Sequence, residues 1–190
     1  IDCWGYARYG QIGDGIHGIG SGDEEALYAM TPRRVRGLLA PRTLALGVYH
    51  SCVIDEAGAA SCWGLNDYGL LGVGVGVGDR AEPTFVANDV AAIAPGFLHT
   101  CFVSVDGHAH CVGYNYDGQL GDGTTIDRTT LAGVKGLTGV HSVVAGGHTT
   151  CALASSGVVC WGSNSLAQAG VGVVGGVLVV PTPVVGLAWP

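Results

Sequence analysis

Charge is scarce in this chain. Only 12% of its 190 residues are Asp, Glu, Lys or Arg, and fifteen acids outnumber eight bases for a formal net charge of −7. Phosphate binding needs a concentrated basic face, so this balance argues against nucleic acid as the main partner. Four bases do fall close together, as Arg33, Arg34, Arg36 and Arg42. With Asp23, Glu24 and Glu25 nearby, they are expected to form a solvated, salt-bridged segment rather than an anion site. Long apolar runs are also missing, and none reaches the ~18 residues of a membrane helix. The most apolar stretch, Val171 to Val180, is interrupted by Gly172, Gly175 and Gly176 and reads as loop or strand. There is no signal peptide and no initiator Met. The chain opens in mid-motif at Ile1-Asp2-Cys3-Trp4, so processing or a missing N-terminal segment is expected.

Motifs for small-molecule chemistry are equally thin. The glycines of Val73 to Gly78 are followed by no Lys-Ser/Thr and no helix, so they form no phosphate loop. Asp55, His50 and Ser51 lie near one another, but all three come from the local repeat, and a catalytic triad there would be coincidental. An enzyme is not expected, and neither is a cofactor.

What the chain does have is a periodic phrase. His50-Ser51-Cys52 runs on to Cys62-Trp63-Gly64, His99-Thr100-Cys101 to Cys111-Val112-Gly113, and His148-Thr149-Thr150-Cys151 to Cys160-Trp161-Gly162. The three histidines stand 49 residues apart, as do Cys62, Cys111 and Cys160. A period of this size marks solenoids, propellers or arrays. Most of the 34 glycines recur at matched places, so they read as turn chemistry rather than low complexity.

The second full repeat is the clearest. Val90 to Ala94 is short and apolar, as in a strand buried on both faces. Thr100 to Ser104 and His108 to Val112 flank the Asp106-Gly107 turn as a hairpin. A glycine-punctuated loop, Asn115 to Gly123, leads to a fourth segment around Thr130 to Val134. Four short antiparallel strands per ~50 residues make a propeller blade. Leu44 to Gly47 and Val143 to Gly146 match the first strand, while Thr84 to Val86 and Pro183 to Leu187 match the fourth. At the front, Cys3-Trp4-Gly5 and Gly10 to Gly15 match only a third strand and its following loop. An insertion near Ile16 to Met30, with an acidic centre, is a candidate partner-facing loop.

These motifs resemble the regulator of chromosome condensation (RCC1) repeat family. The carriers are His148 to Leu153, Cys160 to Asn164, Asn115 to Gly123 and Asn66 to Gly72. The chain looks especially like the cysteine-containing bacterial, extracellular members. The resemblance implies an all-β, RCC1-like β-propeller. About three and a half four-stranded blades are present: an incomplete one over 1–40, then 41–89, 90–138 and 139–190. Since the family folds as a seven-bladed ring, the chain is expected to be a partial propeller or a fragment of a seven-bladed one.

Cys52 and Cys62 are equidistant from Ala57, Cys101 and Cys111 from Asp106, and Cys151 and Cys160 from the Ser155-Ser156 bond. Residues so placed face each other across an antiparallel hairpin, which predicts three intra-blade disulfides. A metal site is the competing reading, but the gaps lack the short Cys-x-x-Cys spacing of zinc knuckles. Cys3 aligns with Cys62, so its partner belongs on the absent second strand or on another chain. Persistent disulfides imply an oxidising compartment, hence an extracellular or cell-surface location.

Other candidates read as structural. His50, His99 and His148 recur in blades dispersed around an axis and need not converge on a metal; the resemblance assigns this histidine to the repeat core. His108 and His110 share a strand face without a third ligand and read as an exposed pair. Asp14-Gly15 and Asp122-Gly123 read as turn formers rather than calcium ligands. Trp4, Trp63, Trp161 and Trp189 read as packing residues. Two Val/Gly loops differ from their polar counterpart Thr124 to Arg128, and if exposed they are binding or aggregation surface. Their residues Val73, Val75, Val77, Val171, Val173, Val174, Val177 and Leu178 are the candidate interface; tucking against neighbouring blades is the alternative.

The expected function is a secreted or cell-surface binding scaffold that presents propeller loops to a protein, in self-association or with another surface protein, or to a glycan. It suits a subunit of an extracellular assembly. An enzyme inhibitor acting through loops of one face is the first alternative. Guanine-nucleotide exchange, as in the family's namesake, is the second.

Overall fold

The computed structural model describes residues 1–18, 27–74 and 78–187. Every regular element of length within them is a β-strand. A two-stranded sheet comes first, β1 (Asp2–Tyr6) paired with β2 (Tyr28–Arg34). Three four-stranded antiparallel meanders follow, each with its strands in chain order. They are β3 (Pro41–Leu46), β4 (His50–Asp55), β5 (Ala60–Gly64) and β6 (Arg80–Ala87), then β7 (Val90–Pro95), β8 (His99–Ser104), β9 (Ala109–Gly113) and β10 (Arg128–Gly133). The last comprises β11 (Val140–Gly146), β12 (Thr149–Ala154), β13 (Gly157–Ser163) and β14 (Val177–Pro183). A 3-10 turn, Asp67–Gly69, interrupts the loop after β5.

The sequence accounts for these elements locally. The hairpin turns use Asp and Gly: Asp55 Oδ1 accepts from the Ala59 amide at 2.9 Å, and the Gly58 amide donates to Asp55 O at 3.1 Å. After each third strand an Asn closes the loop, its side-chain oxygen accepting from the amide five residues on. Leu71, Leu120 and Ala169 are the donors to Asn66, Asn115 and Asn164.

The sheets stack face to face in chain order, β7 against β3 and β4, then β11 against β7 and β8, and the arc stays open. Each interior blade is therefore covered on both faces, and the core lies between blades. One cluster joins Cys52, Ile54, Leu70, Phe102 and Val112; the next joins Cys101, Cys111, Leu120, Val143 and Trp161. The structure joins Cys52 to Cys62, Cys101 to Cys111 and Cys151 to Cys160, with Cα separations of 4.1, 4.1 and 4.0 Å. The first two sit within the clusters, while the third, in the last blade, lies outside them.

Three expectations change. The fourth strand of the last blade is Val177–Pro183, not Pro183 to Leu187. The register shows why: Thr182 faces Cys160 as Thr84 faces Cys62. Val177 and Leu178 thus belong to a strand rather than a loop. In the opening repeat, Tyr28 to Met30 belong to β2 and are not part of an insertion. Trp4, expected to pack like Trp63 and Trp161, is 67% exposed, while those two are fully buried.

Candidate functional site

Two networks share the end of the blades opposite the hairpin turns. The first is buried and ties each blade to the next. The Thr100 hydroxyl donates to Leu70 O at 2.6 Å and Thr150 to Gln119 O at 3.0 Å. Each hydroxyl therefore accepts from an imidazole of the preceding blade, His50 Nε2 to Thr100 and His99 Nε2 to Thr150, both at 2.8 Å. That bonding fixes both rings as the neutral Nε2–H tautomer. Nδ1 of each is buried with no partner, so a proton there would add a charge with nothing to accept it. Burial lowers both pKa values to about 3, helped by the neighbouring imidazoles. The indoles of Trp63 and Trp161 donate to Gln11 O and Gln119 O of the preceding blade, both at 2.9 Å. These side chains are structural.

His148 does not belong to this set, although it stands at the same interval. In the register, Gly64 faces His50 and Gly113 faces His99, but Gly162 faces Thr149. The cysteines of the last hairpin are separated by 9 positions rather than 10, which moves His148 to the place of Tyr49 and Leu98. There it is part-exposed, 3.1 Å from Gln119 Nε2 and 3.5 Å from Asp117 Oδ2.

His148 instead joins the second network, a row of rings along the surface. Tyr28 touches Tyr6, with centroids 5.7 Å apart, and Tyr6 touches Tyr9 at 6.0 Å. Tyr49 follows at 5.4 Å, Phe97 at 5.6 Å and His148 at 5.3 Å. Tyr114 lies 5.7 Å beyond and carries Tyr68 at 5.0 Å and Tyr116 at 6.4 Å. The row contains all seven tyrosines of the chain. Its geometry follows from the meander: the segment entering a second strand and the segment leaving a third lie side by side in an antiparallel hairpin. Tyr49 and Phe97 come from the first kind of segment, Tyr9, Tyr68, Tyr114 and Tyr116 from the second. Arg8 Cζ stands 5.8 Å over the Tyr9 ring. Burial, reinforced by neighbouring hydroxyls and carboxylates, holds the Tyr9 and Tyr114 hydroxyls above the ordinary tyrosine pKa. Tyr28, Tyr68 and Tyr116 are exposed. An apolar ring with a polar tip suits a surface that alternates between water and a partner. Sequence reading missed this row because its members do not recur at one interval.

The other expected residues lie apart from it. Val73 is half-buried against the core between the second and third blades, and Leu178 against the next core. Val171 is half-buried, Val177 exposed at 43%, and Val173 and Val174 stand out at 61% and 75%. Val75, Val77, Trp189, Asp23, Glu24 and Glu25 lie outside the described residues. Within the described residues the arginine segment is salt-bridged as expected: Arg33 pairs with Asp14, Arg34 with Asp2 and Arg36 with Glu82, while Arg42 donates to Val90 O. Asp14 and Asp122 accept from the amides of Ile16 and Thr124. Exposed His108 pairs with Asp106 at 3.2 Å. No group of three or more His, Cys, Asp or Glu side chains able to hold a metal occurs among the described residues. No helix among them is long and apolar enough to cross a membrane.

Stacked four-stranded meanders with these inter-blade ties define an all-β, RCC1-like propeller arc. Prp20p from Saccharomyces cerevisiae superposes on 95% of the chain with a TM-score of 0.81 at 23% identity, and human WBSCR16 on 93% with 0.75 at 22%. At such identity the likeness concerns the fold alone. Residues 42–70, 89–119 and 140–168 match the model of the regulator of chromosome condensation (RCC1) repeat, which supports that family for the three complete blades. A mouse protein, probable E3 ubiquitin-protein ligase HERC4, is 33% identical over 67 residues, 34% of this chain and 6% of that protein. The chain covers 45% of each of the two structures.

Proposed function

We propose that the chain is a protein-binding module of an extracellular or cell-surface assembly and that the ring row is its contact face. The observation that carries this reading is the gathering of every tyrosine into one connected surface strip, while Trp63 and Trp161 serve the core. Tyrosine offers large contact area at low cost in conformational entropy, and it is enriched where proteins dock. The solved structure of Prp20p is described together with its binding to Gsp1p and histones, so this fold carries protein partners elsewhere. Three disulfides suit an oxidising compartment. Val173 and Val174 are a second candidate contact, in the same chain but in a different loop. A glycan is the alternative ligand class, since sugar faces also stack on aromatic rings.

Immobilised wild-type chain and a Tyr28→Ser/Tyr68→Ser/Tyr116→Ser variant, matched by circular dichroism and Tm, test this against surface proteins cross-linked from the source cells. Specific capture that the variant loses supports the reading. Equal capture by both chains, or loss on Val173→Ser/Val174→Ser instead, overturns it. Binding to a glycan array by the wild type alone moves the assignment to sugar.

A further inference from the structure

The tyrosine row changes character along its length. In the first of its loops, Arg8-Tyr9-Gly10, a guanidinium stands 5.8 Å over the Tyr9 ring. Burial and Tyr6 raise the pKa of that ring's hydroxyl, and Arg8 opposes them. Asp67-Tyr68-Gly69 holds the same place in the next loop: Gly10 and Gly69 have φ of 80° and 73°, and their amides donate to the carbonyls of Ala7 and Asn66. The third loop continues as Tyr116-Asp117-Gly118, with the Gly118 amide bonded in the same way to Asn115 O. The second loop therefore has a carboxylate where the first has an arginine, and the third has one a position further on.

Three rings gather at this acidic end. Tyr68 meets Tyr114 with planes 62° apart, Tyr116 lies nearly parallel to Tyr114 at 23°, and the outer two are 48% and 70% exposed. They follow β5 and β9, in the two blades at the middle of the arc. Beyond burial, the strongest influences on the Tyr114 hydroxyl are the carboxylates of Asp117 and Asp127, and both raise its pKa. No Lys or Arg pairs with either carboxylate among the described residues. Asp117 Oδ2 lies 3.5 Å from His148 Nδ1, but Gln119 Nε2 donates to that nitrogen, which therefore carries no proton. Asp127 Oδ1 accepts from the Asn115 amide at 2.7 Å. The backbone is strained at the same place. Tyr68 holds φ 61°, a left-handed conformation rare for a bulky residue, and neither Tyr9 nor Asp117 shares it at the same loop position. Such strain gathers where a side chain serves a contact.

We infer that Tyr68, Tyr114 and Tyr116, with Asp117 and Asp127, form the site for an arginine side chain of the protein partner. This rests on the reading of the row as a contact face and names what its acidic end takes. A guanidinium is planar and weakly hydrated, so it stacks on aromatic faces while its N–H groups pair with carboxylates. A tyrosine face attracts such a cation within about 6 Å of its centroid. Arg8 over Tyr9 is the same contact made inside this molecule, at the end of the row where the loop supplies its own cation. At the other end the loops supply rings and carboxylates, so the cation comes from outside. The net charge of −7 steers a basic segment toward the chain. A lysine ammonium matches the charge but is more strongly hydrated and has no plane to stack.

The probe is the capped peptide Gly-Gly-Arg-Gly-Gly, titrated into the full chain with isotope-labelled tyrosine rings and followed by NMR. Peptides with citrulline, the neutral isostere, or lysine in place of arginine are the controls. Saturable shifts confined to Tyr68, Tyr114 and Tyr116 are expected, with citrulline at least about tenfold weaker and lysine several-fold weaker. Asp117→Asn and Asp127→Asn each keep an acceptor oxygen, and each should weaken the arginine peptide several-fold at unchanged circular dichroism. Absence of saturation, equal affinity for citrulline or lysine, indifference to both Asn variants, or shifts centred on Tyr6 and Tyr28 overturn the proposal. The capture experiment separates this site from the contact face itself. Capture lost by the tyrosine variant but kept in full by Asp117→Asn/Asp127→Asn overturns the arginine site and leaves the contact face standing; arginine-peptide binding with no captured protein keeps the site and removes the partner reading.

Discussion

His99 and His148 stand one period apart and live in different worlds. His99 is sealed between two blades, bonded through Nε2 to Thr150 and stripped of water. His148 lies at the surface among Phe97, Tyr114 and Gln119. The difference comes from a single residue missing from the last hairpin, which places Thr149 opposite Gly162. A period fixes spacing along the chain, whereas register across the hairpin fixes which side chain meets the next blade.

Acid breaks the comparison most strongly. Both sealed imidazoles hold folded pKa values of about 3, far below the ~6.5 of an exposed histidine. The unfolded chain therefore binds more protons, and stability increases with pH wherever the two states differ. The contribution is complete above pH ~6.5 and is lost as pH falls toward 3. Each ring adds a slope approaching about 1.4 kcal/mol per pH unit, or roughly 3 for the pair. Denaturant titrations at pH 7, 5 and 4 should show it, and His99→Gln, which keeps an N–H for Thr150, should halve it. A flat profile from pH 6 to 4 would contradict the buried neutral tautomers.

The next sharpest contrast sets a sealed junction against the open one. Thr150→Val leaves the His99 Nε2–H buried without an acceptor, at a cost of about 1–3 kcal/mol. Ser51→Val strands no imidazole; it removes one hydroxyl from Gln11 O and should cost about 1 kcal/mol or less. Urea midpoints of the two variants compare them directly. Equal losses would mean that the imidazoles contribute nothing through these bonds.

The interior of the arc was legible in the residues because its determinants repeat. Equidistance from a turn pointed to Cys52 with Cys62, and the Asp106-Gly107 turn marked the β8–β9 hairpin. Where the determinant is a neighbour rather than a motif, reading failed. Trp4 has the repeat identity of Trp63, but among the described residues no carbonyl takes its indole N–H as Gln11 O takes that of Trp63, and its ring is 67% exposed. The last outer strand was misplaced because Val177 to Val180 imitates a loop in composition. The tyrosine row is assembled from non-equivalent loop positions. Its only signal in the sequence is that Tyr6, Tyr49, Tyr68 and Tyr114 all adjoin the start of a second strand or the end of a third.

The smallest effect belongs to His148→Leu, which installs the residue that Leu98 already supplies at the same register position. The change removes the contacts to Gln119 Nε2 and Asp117 Oδ2, both made by a part-exposed ring. Partly solvated pairs of this kind contribute about 1 kcal/mol or less. Leucine keeps apolar contact with Phe97 and Tyr114, so the stability change should fall within about 0.5 kcal/mol in a urea titration. The same substitution at His99 removes the buried Nε2 bond to Thr150 and opens space beside Gly96, whose Cβ position abuts the His99 ring. It should cost several times more. If the two substitutions proved equal, interval rather than register would govern the repeat, and the assignment of His148 to the surface row would fall with it.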